Sequence, residues 1–511
     1  MTTKLLTTAT ALLSVGLLLQ ACGSKNPPPP PPPAPVIVDV NGGLSGSGTL
    51  GSVFILDGSG FGDLTAQTPG YSLDFRDATS NAVVATSTVN YTGGAWKSLF
   101  ITASVPTTGL TASTTYKVTV TTPGGTSNAV SFLILSAVPY APNTVWTKTY
   151  NMPAAVQGFP AVVATIGTGA TAATYLYALG GNTATTTTAN GKNANTASVS
   201  FNKLNSTTGA LSLATWTQTT ALPAERGFSA AVVATSFNSK IGGNGTIYVL
   251  GGLDKNGAAT STIYQASLNA DGSIPAPAVA GTWTALATPL PQALFAHGAV
   301  IFHGHLYVAG GNDSAGTPVA KVYSAPLNSD GTLGAWTTLA DLPDKRAYHQ
   351  FVTAAGNLYI LGGDNVAVDP ITSVQSTGSQ SATFYAAINL QTGSLASPSW
   401  TIDATGVGKA REKFSAVVAS GGVLVSGGLY NGASSGATEQ EFSPINTDGS
   451  LAGFTATTGA YTITKAPGGT GYNFYNHAAA YFADAAGNPH VLILGGADVN
   501  TGAPHAEVWY Q

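Results

Sequence analysis

Cysteine is almost missing: the 511 residues hold one, at position 22, so neither intramolecular disulfides nor Cys-cluster metal sites are available. Charge is scarce too. Asp, Glu, Lys and Arg make up 8% of the chain, with a net charge of −4 and arginine only at positions 76, 226, 346 and 411. That balance offers no general attraction for a phosphate backbone, so no nucleic-acid partner is expected. A helical bundle would need charged wet faces, which this composition does not supply. Gly-x-Ser-x-Gly, His-Glu-x-x-His and Gly-rich phosphate-loop motifs are all lacking. No cofactor and no metal is expected. What the chain does have is 44% hydrophobic residues, 62 Gly and 29 Pro. Disorder is excluded by the apolar content, and an all-β chain with many turns is favoured.

One long apolar run stands at the start. Lys4 precedes Leu5–Leu19, a stretch shorter than the roughly 20 residues that cross a bilayer, as in an export signal. Leu19-Gln20-Ala21-Cys22 follows it directly and resembles the lipobox of bacterial lipoproteins. The resemblance implies cleavage before Cys22, lipidation of its thiol and acylation of the new terminus. Residues 1–21 are then a signal peptide, and 22–35 a lipidated cysteine with a polyproline linker. Acyl chains contribute about 0.8 kcal/mol per buried CH₂ to membrane anchoring. Gly23 at the next position implies, by similarity to enteric sorting, the outer membrane of a bacterial envelope or the cell surface. Pro27–Pro33 is expected to form an extended spacer of about 3.1 Å per residue, with a proline-recognition ligand as the alternative.

Residues 36–135 show short β-rich runs between Gly, Asn and Thr-Gly turns: Val36–Val40, Val53–Leu56, Tyr71–Phe75, Leu99–Val105, Tyr116–Val120 and Val130–Leu135. Their spacing predicts an immunoglobulin-like β-sandwich, with Tyr116, Val118 and Val120 burying one face. Two segments, Val53–Gly62 with glycines at 58, 60 and 62, and Tyr116–Asn128, resemble the signature segments of the IPT/TIG family. In bacterial surface proteins that family implies a spacer or adhesion module.

The rest of the chain repeats. An apolar run ending in Gly-Gly recurs six times, at Leu176–Gly181, Ile247–Gly252, Leu306–Gly311, Leu358–Gly363, Val423–Gly428 and Val491–Gly496. Before each lies another apolar run. After each come a strand, an Asn-x-Asp-Gly turn (269–272, 328–331, 446–449) or a variant of it, and an aromatic-Thr pair. Four antiparallel strands per repeat make a propeller blade. The repeats resemble the kelch family, with paired glycines after the second strand, a tryptophan on the fourth and arginine at the entry to the first. The expected fold is all-β: a six-bladed kelch-type β-propeller over residues 145–511, preceded by the immunoglobulin-like sandwich. Trp146-Thr147 precedes the first Gly-Gly, and no such pair follows the last. Val145–Thr149 is therefore expected to supply the outermost strand of the sixth blade, which removes a free edge.

Candidate binding residues follow from the repeat phase. Arg226, Arg346 and Arg411 all stand just ahead of a first strand, so they are expected to ring one mouth of the channel, where guanidinium forks suit carboxylates or phosphates. The competing reading is structural, pairing with Asp254, Asn312, Asp364 or Asp498 after the glycines. In the sixth blade Tyr472-Asn473-Phe474-Tyr475-Asn476 replaces the arginine; Tyr472 and Tyr475 suit stacking on sugar rings, and equally well packing on a neighbouring blade. His297, His349 and His477 share an inner-strand phase, with Pro160, Ser229 and Ser415 taken as its occupants elsewhere. A hydrogen-bonded structural role is favoured there over a metal site. Glu439 and Glu441 alternate on one strand and are expected to be solvated. Asp254–Gly257 and Asp498–Gly502 are too short for calcium loops and read as turns.

The expected function is a membrane-anchored extracytoplasmic binding protein that recognises a glycan or protein at one mouth of its propeller. A carbohydrate-active enzyme on the same fold, as in the kelch-type sialic-acid mutarotases, is the alternative, with a purely structural envelope component as a third reading.

Overall fold

A computed structural model describes residues 32–40, 45–89, 91, 95–134, 146–167, 172–185, 191–234, 243–371, 376–390, 392–403, 405–419, 421–430, 440–446, 448–456, 474–483 and 489–511. The export signal, Cys22, most of the proline run and Tyr472 lie outside the described residues.

Alternating apolar runs build the first domain as two facing sheets. Val36–Val40, Val53–Ser59 and Phe100–Ser104 form one. Ser45–Gly48, Val130–Ile134, Thr114–Thr122, Ser72–Arg76 and Val83–Thr86 lie side by side in the other, with Gly125–Thr126 paired to Thr114–Thr122. Tyr116, Val118 and Val120 are buried on one face of their strand. Phe54, Phe75 and Phe132 meet between the sheets with ring centroids 5.0–5.7 Å apart, Phe75 standing edge-on to the other two as aromatic quadrupoles favour. Trp96 closes one side, its indole N–H donating to the Phe61 carbonyl at 2.9 Å.

Six four-stranded antiparallel sheets follow, the first five with their strands in sequence order from axis to rim. Blade 1 consists of Ala161–Ile166, Ala173–Leu179, Val199–Lys203 and Thr217–Gln218. The innermost strands of blades 2 to 6 are Ala230–Ala234, Gly298–Phe302, Gln350–Ala354, Ser415–Ala419 and Ala478–Ala483. Each inner strand touches the next, and blade 6 touches blade 1, so the toroid is closed. In blade 6 the outer strand is Thr147–Lys148, with Thr147 opposite Tyr510 and Lys148 opposite Trp509.

Repeated side chains tie neighbouring blades together. Tyr177, Tyr248 and Tyr359, on second strands, donate their hydroxyls to the carbonyls of Gly272, Gly331 and Gly449 in the next blade's Asp-Gly turn, at 2.6–2.7 Å. Near the rim, Trp283 and Trp400 donate to Thr220 and Ala340 of the preceding blade at 2.8 and 3.0 Å. The sandwich meets the propeller at the hairpins between first and second strands. Asp57 Oδ1 lies 2.5 Å from His303 Nε2, and Phe100 stands edge-on to the His303 ring.

Candidate functional site

The chain enters each blade through a residue with positive φ: Gly158, Phe228, Ala296, Tyr348, Lys413 and Asn476, all between 51° and 56°. Each donates its amide to the carbonyl of the same residue one blade back, at 2.6–3.2 Å, and Gly158 donates to Asn476. Six peptide bonds thus form a closed ring around the channel. A second ring lies just outside it. The amide of the second glycine in each pair (181, 252, 311, 363, 428, 496) donates at 2.7–2.9 Å to the residue two before the positive-φ position of the next blade.

This geometry explains the paired glycines. A Cβ on Gly311 would come 2.5 Å from the Cβ of His297 in its own blade, and one on Gly310 would come 2.8 Å from His349 Cε1 in the next. The pair is wedged between two inner-strand side chains, and both glycines have positive φ, so any other residue would clash and be strained.

The wedging position immediately follows the positive-φ residue. Its occupants are Phe159, Ser229, His297, His349, Phe414 and His477, so Phe159 and Phe414 hold the places expected for Pro160 and Ser415. The three histidines are buried, and burial lowers them to about 4 (His297), about 3 (His349) and about 4 (His477). They are neutral spacers that share their slot with phenylalanine. His349 faces the Ala309 backbone, and His477 Nε2 lies 2.7 Å from Ser415 Oγ. Among the described residues no group of three His, Cys, Asp or Glu side chains is placed to hold a metal. Below the inner ring these side chains line a cavity of about 120 Å³.

Arg226, Arg346 and Arg411 hold one phase, two residues before the positive-φ position, yet their side chains do not converge on a mouth. They are 3%, 1% and 0% exposed. Each guanidinium packs within its own blade against the second residue of the third strand: over Tyr264 at 4.8 Å, over Phe384 at 4.9 Å, and against Glu441, where Arg411 Nη2 lies 2.6 Å from Oε1. Arg226 Nη2 also donates to the Tyr264 hydroxyl at 3.1 Å, and Arg346 Nη1 to Asp344 at 2.6 Å. The structural reading therefore describes their surroundings, and of the residues that follow the glycines Asp364 acts electrostatically on Arg346. Glu441 is buried, not solvated. Tyr475 is also buried, its hydroxyl donating to the Ile371 carbonyl at 3.0 Å. Asp254 and Asp498 cap their own turns, each accepting two main-chain amides.

A polar cluster that the sequence reading passed over lies beside the ring. Asp364, Glu412, Lys413 and Tyr348 are all buried. Burial, and then a hydrogen bond with Asp364, raises the Glu412 carboxyl to about 8, which favours its protonated form. Burial lowers Lys413, whose ammonium stands 5.2 Å from the Tyr348 ring centroid and 5.9 Å from that of Tyr475. The signal for this cluster was Arg411-Glu412-Lys413, three consecutive charges in a chain that is 8% charged, directly before a buried strand.

The mouth above this cluster is roofed. The described parts of two long connections, residues 180–185 and 191–198 of blade 1 and 362–371 and 376–382 of the opposite blade 4, meet there, with Ala184 and Gly191 packed near Ile371. Ile371 sits in an apolar cup with Phe228, Phe295, Ala347 and Tyr348. On the rim of the same face an open groove of about 370 Å³ remains, lined by Pro223–Arg226, Asp254, Lys255 and Thr260.

No family model matches the sequence, and no curated protein matches it. Among solved structures, one titled "Structure of YjhT" is similar to 70% of this chain and 95% of its own, at 13% sequence identity and a TM-score of 0.46.

Proposed function

We propose that this chain is a membrane-tethered extracytoplasmic binding protein whose propeller recognises a glycan or a protein. Cys22 carries the lipid anchor, the proline run lifts the chain off the bilayer, and an IPT/TIG-type sandwich acts as spacer. The arrangement of the two domains supports this reading. The sandwich docks through Asp57 and Phe100 on His303, at a first-to-second-strand hairpin. That leaves the opposite face, made by the connections after the glycine pairs, turned away from the tether.

The observation that carries the reading is the roof. With Ile371 filling the mouth and Arg346 and Arg411 buried, the recognition surface is the open rim groove. Glu225, Asp254, Lys255 and Thr260 line it, with Arg226 at its base, and this mixture of donors and acceptors suits sugar hydroxyls or a peptide main chain. The Cys22→Ala chain, freed of lipid, is applied to a glycan and peptide array. Binding that falls at least tenfold when Glu225→Ala and Lys255→Ala are combined supports the proposal. The absence of any ligand, or binding that ignores those changes, removes it. The enzyme reading rests on the buried pair of carboxyls Glu412 and Asp364, the first raised by burial; it requires turnover of a sugar that Glu412→Gln abolishes.

A further inference from the structure

The segment that roofs the mouth is held as a ligand would be. Three successive main-chain carbonyls are each met by a side-chain donor from another blade. Lys413 Nζ donates to Asp369 O at 3.0 Å, Asn476 Nδ2 to Pro370 O at 2.9 Å, and Tyr475 Oη to Ile371 O at 3.0 Å. The Ile371 side chain fills the cup of Phe228, Phe295, Ala347 and Tyr348. Within the segment, the Ile371 amide donates to Asp369 Oδ1 at 2.8 Å, which sets the bend at Pro370. A surface connection ordinarily leaves its carbonyls to water or to its own turns. Here a row of donors reads the main chain, and an apolar cup reads one side chain.

Connection length separates the roof from the underlying site. Blades 2 and 3 join their second and third strands through residues 251–262 and 310–321, short connections of Asx-turn type. Blade 4 uses residues 362–382 for the same join, and the added length carries Asp369–Ile371 over the mouth. The donors themselves stand on the inner ring: Lys413 and Asn476 at positive-φ positions and Tyr475 one residue before. They are placed by the propeller and do not depend on the roof.

From this geometry we infer that the channel mouth is a peptide-binding site, closed in this state by the chain's own Asp369–Ile371. The partner it takes is an extended segment of another polypeptide in which proline precedes a β-branched aliphatic residue. The site is separate from the rim groove, so the two can succeed or fail independently. A tethered segment competes at an effective concentration in the millimolar range, so the intact chain resists micromolar peptide until the segment is displaced.

The test uses the full-length chain and a labelled peptide, acetyl-Ala-Val-Asp-Pro-Ile-amide, followed by fluorescence anisotropy. Ile371→Asp unseats the plug and leaves the donors in place; its binding is expected to be at least tenfold tighter than that of the unaltered chain. Adding Lys413→Met, or changing the peptide's isoleucine to aspartate, is expected to reverse that gain. Should Ile371→Asp melt before it can be assayed, Ile371→Gly removes the same anchor without a charge and is read in the same way. A folded variant, judged by its tryptophan emission and cooperative melt, that binds the peptide no better than the unaltered chain overturns the inference. Equal binding with and without Lys413 overturns it as well.

Discussion

The amide of Gly158 meets the carbonyl of Asn476 across 2.8 Å, joining two residues more than three hundred positions apart in sequence. That bond completes the inner ring, and at the rim Thr147 completes the same blade by pairing with Tyr510. The toroid is therefore closed twice without a covalent link, at the axis by peptide groups and at the edge by a strand.

Closure makes the last strand more than an edge. Trp509 is buried with Trp146, Phe474 and Val491, and Lys148 lies 5.9 Å from its ring. Trp509→Ala is expected to lower stability by about 3–5 kcal/mol, the usual cost of emptying an aromatic site. Urea denaturation checks this as a fall in midpoint at constant slope. A change below about 1 kcal/mol would mean that the ring does not depend on this seam.

The inner-strand histidines set a limit on the acid side. Their folded values lie below the ordinary 6.5, so as pH falls through 6.5 the unfolded chain takes up protons that the folded chain refuses. Stability is present above 6.5 and is lost as pH falls toward 3–4, on the order of 3 kcal/mol for each site. Phenylalanine already fills this slot in blades 1 and 5 at Phe159 and Phe414. His349→Phe is thus expected to fold at neutral pH and to move the midpoint of acid unfolding lower. An unchanged acid midpoint would contradict the account.

Arg411 and Glu441 form a buried pair, 0% and 4% exposed at the side chain, and Glu441 also accepts the Gly408 amide at 2.9 Å. Removing one partner leaves a charge stranded out of water. Arg411→Met is expected to cost about 3–5 kcal/mol, and Arg411→Met with Glu441→Leu to recover most of it. A double-mutant cycle in urea reads the difference. Additive losses would show that the charges do not compensate one another.

What was legible in the sequence, and what was not, follows from which positions constrain residue type. Gly310 and Gly311 stand between His297 and His349 with no room for a Cβ, so the pair recurs and the six blades can be counted. The positive-φ position carries Gly, Phe, Ala, Tyr, Lys and Asn. It has no signature, and for that reason the inner-strand phase slipped by one residue at Pro160 and Ser415. The arginines share a phase, but a phase fixes the backbone only. What receives each side chain is a third-strand residue that differs between blades: Tyr264, Phe384 or Glu441. The roof depends on two connections from opposite blades meeting at Ile371. Nothing local announces that meeting, so sequence alone leaves Tyr475 open between sugar stacking and packing on a neighbouring blade.

Glu412 ties the buried cluster to the roof, since its Oε1 accepts the Ser376 amide at 3.1 Å. The charged groups facing it are Asp364 and Lys413, with Tyr348 beside them. Its folded value of about 8 lies above the ordinary 4.5. Between those values the unfolded chain has released the proton and the folded chain still holds it, so this contribution to stability falls as pH rises through the window. Lys413 is displaced downward by burial, and its own contribution runs the other way at higher pH. The informative comparison is therefore between two chains at matched pH. Glu412→Gln keeps an acceptor for Ser376 and cannot ionise. At about 1.4 kcal/mol per unit, even half of the Glu412 displacement widens the gap in favour of the variant by about 1 kcal/mol between pH 5.5 and 8.5. Urea midpoints of both chains across that range measure the gap. Parallel profiles would mean that Glu412 is ionised in the folded protein and that its proton does not hold the cluster together.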